Sequence, residues 1–182
     1  MDRFEPLRRR TIALVGLMGV GKSSVGRRLA NALGMAFRDA DAEVEAAAGR
    51  SIADIFAELG EAEFRKGERR VIARLLEEAP HVLATGGGAF MDPDTRALIK
   101  AKAVSVWLKT DLEVLARRIG RKDTRPLLIG KDPMEVLQAQ AAARYPFYGQ
   151  ADITVETGDA AHHVGVDQIL RALSAYLEEH TQ

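Results

Sequence analysis

Residues 11–33 read TIALVGLMGVGKSSVGRRLANAL, and this stretch decides the fold. Its first five residues are apolar without alternation, which predicts a strand covered on both faces of a parallel sheet. From residue 22 onward apolar side chains recur at helical spacing, and Gly34 follows as a helix stop. Between strand and helix, residues 16–23 have the order Gly, four residues, Gly, Lys, Ser. That spacing between a strand and a helix predicts a phosphate-binding loop.

The chemistry of this loop follows from its residue types. Glycine lets successive backbone N–H groups turn toward phosphate oxygens, and the N-terminus of the next helix adds positive potential. Lys22 would reach the outer phosphates of a nucleotide, and the Ser23 hydroxyl would ligate Mg²⁺. The alternative is a glycine-rich turn that binds nothing. The predicted nucleotide contacts in this segment are Gly19, Val20, Gly21, Lys22, Ser23 and Ser24.

Composition excludes several other classes of protein. The 182 residues include 26 Lys+Arg and 26 Asp+Glu, and a net charge of +0 argues against a general nucleic-acid coat. The absence of Cys excludes disulfides, zinc ribbons and thiol nucleophiles. The 4 His residues show no metal-ligand spacing. The length suits a single domain over residues 1–182.

One segment near the start imitates a secretory signal. Residues 8–10 are three arginines in front of the apolar run at residues 11–20. This run contains Gly16 and Gly19, no small-residue cleavage site follows it, and it is shorter than the ~20 apolar residues that span a bilayer. We therefore expect a buried strand in a cytoplasmic protein that does not enter a membrane.

Strands and helices alternate along the rest of the chain. With helices between them, further strands are expected at residues 35–37, 81–84, 103–108 and 153–155. This order predicts a three-layer α/β fold, with a five-stranded parallel sheet flanked by helices. A helix that opens with Asp132 and Pro133 is expected to end at Pro146. Residues 120–131 are rich in charge, Gly and Pro, and are expected to form a mobile loop.

Three of the predicted strands end in residues that suit ligand binding. In an open parallel sheet, ligands sit beyond the carboxyl ends of the strands. Here those ends carry the phosphate loop, then Asp39 and Asp41, then three glycines at residues 86–88. Asp39 would hold Mg²⁺ directly or through water, and Asp41 would act as a base toward an acceptor hydroxyl. Alternatively, one of these carboxylates caps the following helix, and the glycines form only a tight turn.

Arginines outside the phosphate loop are ambiguous on residue type alone. Arg65 lies in an amphipathic helix and Arg144 precedes a Tyr-Pro pair, and such side chains are usually solvated. Arg118 precedes the predicted loop at residues 120–131, and Arg125 lies inside it. A lid that carries Arg would neutralise charge on a transferring phosphoryl group and exclude water. A solvated basic loop is the alternative.

An ordered series of motifs resembles the shikimate kinase family. Together the motifs span most of the chain, from residue 11 to residue 155. Besides the phosphate loop they are DAD at 39–41, SIADIF at 51–56, EFR at 63–65, GGG at 86–88, TRPLL at 124–128, and RYP at 144–146 with Tyr148.

The resemblance implies a kinase that uses ATP to phosphorylate the 3-hydroxyl of shikimate. The products would be shikimate 3-phosphate and ADP, on the route to chorismate and the aromatic amino acids. The implied fold is like that of nucleoside monophosphate kinases. We expect a helical substrate-binding region at residues 41–79 and a lid at residues 120–132 to close over the ligands. We also expect a monomer whose partner is shikimate, with no nucleic acid.

On the matching positions, the resemblance implies roles for individual residues. Asp41 would contact the substrate hydroxyls, while Arg65 and Arg144 would bind the carboxylate, which planar guanidinium groups match bidentately. The implied catalytic residues are Asp41, Lys22 and Arg125. The other implied contacts are the backbone of Gly86, Gly87 and Gly88 with Phe56 and Phe64 at the substrate, Arg118 near adenine, Arg125 at the phosphates, and Ser23 with Asp39 at Mg²⁺.

Two other functions stay open from the sequence. One is a kinase of the same architecture that acts on another small acceptor, such as gluconate. The other is a nucleotide-binding regulatory module without catalysis. Such a module would keep the phosphate loop but would need none of Asp41, Arg65 and Arg144.

Overall fold

A parallel sheet forms the centre of the computed structural model, which describes residue 2 and residues 4–120, 130–159 and 162–180. Within these residues the sheet has five strands in the order β2-β3-β1-β4-β5. All neighbouring strands pair in parallel, so the predicted sheet is confirmed. The strands are β1 (Thr11–Val15), β2 (Ala36–Asp39), β3 (His81–Ala84), β4 (Ala103–Lys109) and β5 (Ile153–Glu156).

The position of β1 at the centre of the sheet explains why residues 11–15 are all apolar or buried. Strand β1 pairs with β3 on one side and β4 on the other, with Ile12 opposite Val82 and Leu14 opposite Val106. All five of its residues are buried. A strand that is covered on both faces has no solvent side, and therefore no alternation of polar and apolar residues.

Helices flank the sheet. Helix α1 packs against α7, α2 against α3, and α5 against α6. Within the described residues the seven α-helices are α1 (Lys22–Leu33), α2 (Ala40–Ala48), α3 (Ile52–Leu75), α4 (Pro93–Lys102), α5 (Leu112–Ile119), α6 (Pro133–Tyr148) and α7 (His162–His180).

Several helix boundaries lie where residue types place them. Gly34 adopts a left-handed conformation, with φ +66°, at the end of α1. The Ser51 hydroxyl accepts a hydrogen bond from the Asp54 backbone N–H and caps α3. Within α3, Gly60 has φ +85° and ψ +168°, which breaks the helix between its first two turns and its longer second part.

The predicted end of α6 at Pro146 is wrong, because the helix continues to Tyr148. The Gly149 backbone N–H donates to the Tyr145 carbonyl oxygen at 2.9 Å, which closes a turn beyond the proline. The Tyr148 side chain is fully buried, and its ring centre lies 5.8 Å from that of Trp107. Burial of this aromatic ring offsets the hydrogen bond and the steric fit that proline loses inside a helix.

Part of the predicted loop lies outside the described residues. These are residues 121–129, which include Arg125 and most of the lid predicted at residues 120–132. Among the residues that are described, none of the helices combines the length and the apolar character needed to cross a membrane.

Candidate active site

The sheet topology brings the three special strand ends together. The chain leaves β1 toward β2 and β3, then crosses to β4 and β5, so the strand order reverses at β1. Ligands in such sheets bind where the order reverses, beyond the carboxyl ends. Strands β1, β3 and β2 are neighbours, and they end in the phosphate loop (residues 16–23), the glycine turn (residues 86–88) and Asp39, respectively.

The phosphate loop is shaped by backbone conformations that only glycine adopts easily. Gly16 has φ +147°, and a methyl group placed on it would lie 2.6 Å from the Leu108 carbonyl oxygen. Gly21 has φ +95° and occupies the N-cap of α1, where it has no side chain to satisfy the first amides. The first amides of α1 are therefore available to an anion.

Two cations lie against this loop. The Lys22 ammonium donates to the carbonyl oxygens of Gly16 at 2.6 Å and Leu17 at 3.0 Å. The Arg118 guanidinium donates to the Gly19 carbonyl oxygen at 3.2 Å and to that of Gly158 at 3.1 Å, so it links the loop to the segment after β5. Of the other predicted nucleotide contacts, Val20 is buried and Ser24 is exposed on α1.

Ser23 and Asp39 lie together, as a shared metal site requires. The Ser23 hydroxyl donates to one carboxylate oxygen of Asp39 at 2.5 Å. The other oxygen of Asp39 accepts from the backbone N–H groups of Asp41 and Ala42 and caps α2. Asp39 is thus a helix cap and a neighbour of Ser23 at once. Hydroxyl and carboxylate oxygens are ligands that Mg²⁺ accepts, so this pair fits that ion.

This pair does not form a complete metal cage. In the parts of the chain that are described, no three His, Cys, Asp or Glu side chains come together as metal ligands. Mg²⁺ usually keeps several waters and binds proteins through one or two carboxylates plus substrate phosphates, and Asp39 offers one such carboxylate.

The glycine turn is packed against charged side chains. A methyl group on Gly86 would lie 2.6 Å from a Glu68 carboxylate oxygen and 3.0 Å from one of Asp41. On Gly87 it would lie 3.1 Å from Arg144 Nη1, and on Gly88 it would lie 2.5 Å from Arg65 Nη2. None of these three glycines has a positive φ. Close approach of these side chains, rather than a left-handed backbone conformation, is therefore the reason for glycine in this turn.

Arg65 and Glu68 form a pair one helical turn apart on α3. Arg65 Nη1 donates to Glu68 Oε1 at 2.8 Å, and the side chain of Glu68 is 4% exposed. Its second oxygen, Oε2, is buried without a hydrogen-bond partner among the described residues. Burial raises the pKa of Glu68, which the positive charge of Arg65 opposes.

Glu68 is a site residue that sequence reasoning missed. On the amphipathic helix it falls on the same face as Phe64, Val71 and Leu75, which are buried. A carboxylate at an apolar-face position of a helix needs a partner, since burial of an unpaired charge is costly. That misplaced charge was the available signal.

Asp41 lies in the first turn of α2, with its carboxylate beside Gly86 of the glycine turn. Its side chain is reached by solvent from the open cleft, while the surrounding protein still desolvates the carboxylate and raises its pKa. The negative charge of Asp39 acts in the same direction, and that of Lys22 opposes it. Lys22 and Arg65 are both close enough to influence this one carboxylate.

The two phenylalanines form one wall beside Arg65. The ring centres of Phe56 and Phe64 lie 4.9 Å apart, and the Arg65 guanidinium carbon lies 5.1 Å from the centre of the Phe64 ring. Phe64 is buried and Phe56 is half-buried.

A cavity of about 320 Å³ opens between α3, the glycine turn and α6. Arg65 and Arg144 both line it, as do Glu68 and Gly88. Two half-buried guanidinium groups on one cavity suit a small organic acid, and the phosphate loop lies on the far side of the glycine turn. The cavity thus brings together Arg65, Arg144 and Gly88, and the glycine turn lies between this cavity and the phosphate loop.

Comparison with known proteins gives consistent matches. Residues 18–174 match the family model described as shikimate kinase. The chain is 71% identical over 172 residues to shikimate kinase from Caulobacter vibrioides, covering 94% of this chain and 86% of the relative. It is 57% identical over 169 residues to the enzyme from Paramagnetospirillum magneticum, covering 93% and 87%.

Two solved structures superpose on this chain over most of its length. Shikimate kinase from Acinetobacter baumannii in complex with shikimate superposes with a TM-score of 0.90 at 38% identity, covering 94% of this chain and 96% of that one. A gluconokinase from Sinorhizobium meliloti superposes with a TM-score of 0.62 at 23% identity, covering 94% and 95%. The likeness to the gluconokinase concerns the fold alone.

Proposed function

Since this chain belongs to the shikimate kinase family, we propose that its cleft transfers the γ-phosphoryl group of ATP to the 3-hydroxyl of shikimate. The observation that carries the proposal is the packing of Asp41, Arg65 and Arg144 against the glycine turn, which borders the phosphate loop. A methyl group on Gly87 would lie 3.1 Å from Arg144 Nη1 and 3.7 Å from the Met18 backbone nitrogen. One peptide turn therefore separates the acid side of the cleft from the phosphate side.

On the phosphate side, the amides at the start of α1 hold the phosphates of ATP. Lys22 leaves the carbonyl oxygens of Gly16 and Leu17 and turns to the β- and γ-phosphates, which offer it full negative charge. Arg118 stays between Gly19 and Gly158, beside the adenine end of the nucleotide. The family resemblance supports a role for Arg125 at the phosphates, although this residue lies outside the described ranges.

Ser23 and Asp39 hold the Mg²⁺ that accompanies ATP. Their adjacent oxygens, which are 2.5 Å apart, support this assignment. When bound, Mg²⁺ neutralises charge on the phosphate oxygens.

On the acid side, Arg65 and Arg144 bind the shikimate carboxylate. Glu68 keeps the Arg65 guanidinium in place through their 2.8 Å hydrogen bond. The backbone of residues 86–88 borders the bound acid, because no side chain there excludes it. Phe56 and Phe64 supply an apolar wall for the ring.

Asp41 accepts the proton of the attacking 3-hydroxyl. Desolvation raises the pKa of Asp41, which makes the carboxylate a stronger base than a solvated one. The 3-oxygen then attacks the γ-phosphorus, the bond from that phosphorus to the bridging oxygen breaks, and ADP leaves. Most of the rate enhancement comes from positioning and charge neutralisation, as is usual for phosphoryl transfer.

The residues assigned to the acid and those assigned to the phosphates meet at one glycine turn. We therefore assign the activity to a monomer in the cytoplasm, where ATP is available. Light scattering coupled to gel filtration tests the monomer, and a dimer whose dissociation abolishes activity contradicts it.

An acceptor screen tests the function. The purified chain is incubated with Mg-ATP and either shikimate, gluconate or no acceptor, and ADP release and the phosphorus NMR spectrum of the product are measured. We expect transfer to shikimate with the phosphate on the 3-oxygen, and only slow hydrolysis otherwise. Transfer to gluconate in preference to shikimate, or ATP binding without turnover, overturns the proposal.

A further inference from the structure

Tyr148 lies behind the active site in a fully buried position at the end of α6. Its hydroxyl donates a hydrogen bond to the Gly87 carbonyl oxygen, in the middle of the glycine turn. Its ring packs against Trp107 of β4, with 5.8 Å between the ring centres. The side chain therefore ties α6 to both the sheet and the turn.

Arg144 lies one helical turn before Tyr148, on the same side of α6. Its Nη1 atom is the first atom that a side chain on Gly87 would meet, at 3.1 Å. The bond from Tyr148 and the position of Arg144 thus converge on the same peptide. Any slip of α6 along the turn would move the Arg144 guanidinium relative to Arg65 on the opposite wall of the cavity.

We propose that Tyr148 is a positioning residue for the acid side of the cleft: its hydrogen bond to Gly87 fixes α6, and with it Arg144, at the distance from the glycine turn that carboxylate binding requires. This inference rests on the proposed function, because it assigns Arg144 to the substrate. Tyr148 itself does not touch the reacting atoms.

The surroundings of Tyr148 keep the bond formed at all working pH values. Burial raises the pKa of Tyr148 to about 12, against the opposing effect of the Arg144 charge. The phenol therefore retains its proton and remains a donor. The ring packing and the hydroxyl are also separable, since Phe would retain contact with Trp107 and lose only the donor.

The test is Tyr148→Phe, with Tyr145→Phe as the matched control. Tyr145 is on the same helix, and its ring centre lies 5.0 Å from that of Trp107. Among the described residues, its hydroxyl makes no hydrogen bond to the glycine turn. For Tyr148→Phe we expect the KM for shikimate to rise about tenfold, while the KM for ATP and kcat change less than about threefold. Tyr145→Phe stays within about twofold of the parent in all three.

Hydrogen exchange in the ligand-free protein separates this inference from the proposed function. The amides of Ala89 and Met91 close the turn by donating to the carbonyl oxygens of Gly86 and Gly88. We expect them to exchange faster in Tyr148→Phe than in Tyr145→Phe, with exchange in β4 unchanged. If the parent enzyme does not phosphorylate shikimate, the proposed function is wrong. The exchange rates still show whether the Tyr148 hydrogen bond stabilises the glycine turn.

Two results overturn the inference. One is an active parent enzyme in which Tyr148→Phe and Tyr145→Phe share the same shikimate KM and the same exchange rates. The other is a Tyr148→Phe enzyme in which the KM values for shikimate and ATP rise equally, because general loosening rather than positioning would then be the cause.

Discussion

Two glycine-rich segments form the two sides of the cleft, and they use glycine for different reasons. In the phosphate loop, Gly16 has φ +147°, and a methyl group there would meet the backbone oxygen of Leu108 at 2.6 Å. In the glycine turn, Gly88 has φ −96°, which other residues adopt, and the Arg65 guanidinium fills the space where a side chain would lie. Glycine is thus required in the phosphate loop by backbone conformation, and in the glycine turn by a neighbouring side chain.

This difference also sets how each side is encoded. The phosphate loop comes from eight consecutive residues. The acid side draws Asp41, Arg65 and Arg144 from three different helices. Changes on the phosphate side should therefore affect ATP handling or the fold, whereas changes on the acid side should affect shikimate and leave ATP alone.

The largest expected effect comes from Lys22→Met on the phosphate side. Loss of a charge that stabilises the transferring phosphoryl group should lower kcat about a thousandfold. Shikimate binding should change less than about threefold, because Lys22 lies on the loop rather than in the acid cavity. The fluorescence of Trp107, the only tryptophan in the chain, can report shikimate binding without turnover.

The matched control is Arg28→Met, which removes an exposed cation from the same helix. It should leave kcat within about twofold. Equal losses of kcat and of shikimate affinity in Lys22→Met would show that the two sides of the cleft are not separable.

The second effect concerns the two arginines of the acid side. Arg65→Ala and Arg144→Ala should each raise the KM for shikimate about a hundredfold, because each leaves the carboxylate with one charged partner fewer. The KM for ATP should stay within about threefold. Steady-state kinetics with each substrate varied in turn make the measurement.

Arg70→Ala serves as the control for this pair. Arg70 is exposed on the same helix as Arg65 and does not line the cavity. Its removal should leave both KM values unchanged within about twofold. If Arg65→Ala raises both KM values equally, the assignment of Arg65 to the acid side is wrong.

The same local and non-local division explains what the sequence could predict. The individual strands and the phosphate loop depend on neighbours within a few residues, and each was predicted from residue type and spacing. Asp39 caps α2, as one alternative held, while its other oxygen meets Ser23 from a different element. That second contact requires the tertiary fold.

The acid side could not be derived from spacing. An Arg and a Glu three residues apart on a helix usually form a surface pair. The position of Glu68 on the apolar face of α3 indicates a buried charge, but it does not indicate that Arg65 shares a cavity with Arg144 from another helix. The hydrogen bond from Tyr148 to Gly87 could not be predicted either. A helix that ended at Pro146, as the sequence predicted, would not place Tyr148 on the same face as Arg144. The ordered motifs that resemble the shikimate kinase family supplied what spacing did not.

A third prediction applies the same substitution to both sides. Gly16→Ala should lower the free energy of unfolding by about 2 kcal/mol, and Tm by about 4–8 °C, since its backbone neighbour cannot move aside. Gly88→Ala meets only the end of a flexible arginine, so its Tm should fall by less than about 3 °C while the KM for shikimate rises. Thermal unfolding and kinetics on both variants test this contrast. A larger loss of Tm in Gly88→Ala would reverse it.

The smallest expected effect is on the pH dependence of the free energy of unfolding, and it comes from the buried carboxyl group of Glu68. Burial raises the pKa of Glu68 above its ordinary value of 4.5, with the negative charge of Asp41 adding to the rise and the charges of Arg65 and Arg144 opposing it. The folded state therefore holds this proton more tightly than the unfolded state. Its stabilising contribution is complete below pH 4.5 and is lost as the pH rises through the folded-state pKa.

Glu68→Gln stays uncharged, so its Tm relative to the parent should grow between pH 4 and pH 7, reaching about +2 °C. Glu63→Gln is the control of opposite sign, because a hydrogen bond from Lys66 lowers the pKa of this exposed residue on the same helix. Its Tm relative to the parent should not rise over that pH range. A Tm difference for Glu68→Gln that is constant or shrinks as the pH rises would mean that Arg65 fully compensates the buried charge. Burial of the Glu68 carboxylate would then not lower the free energy of unfolding.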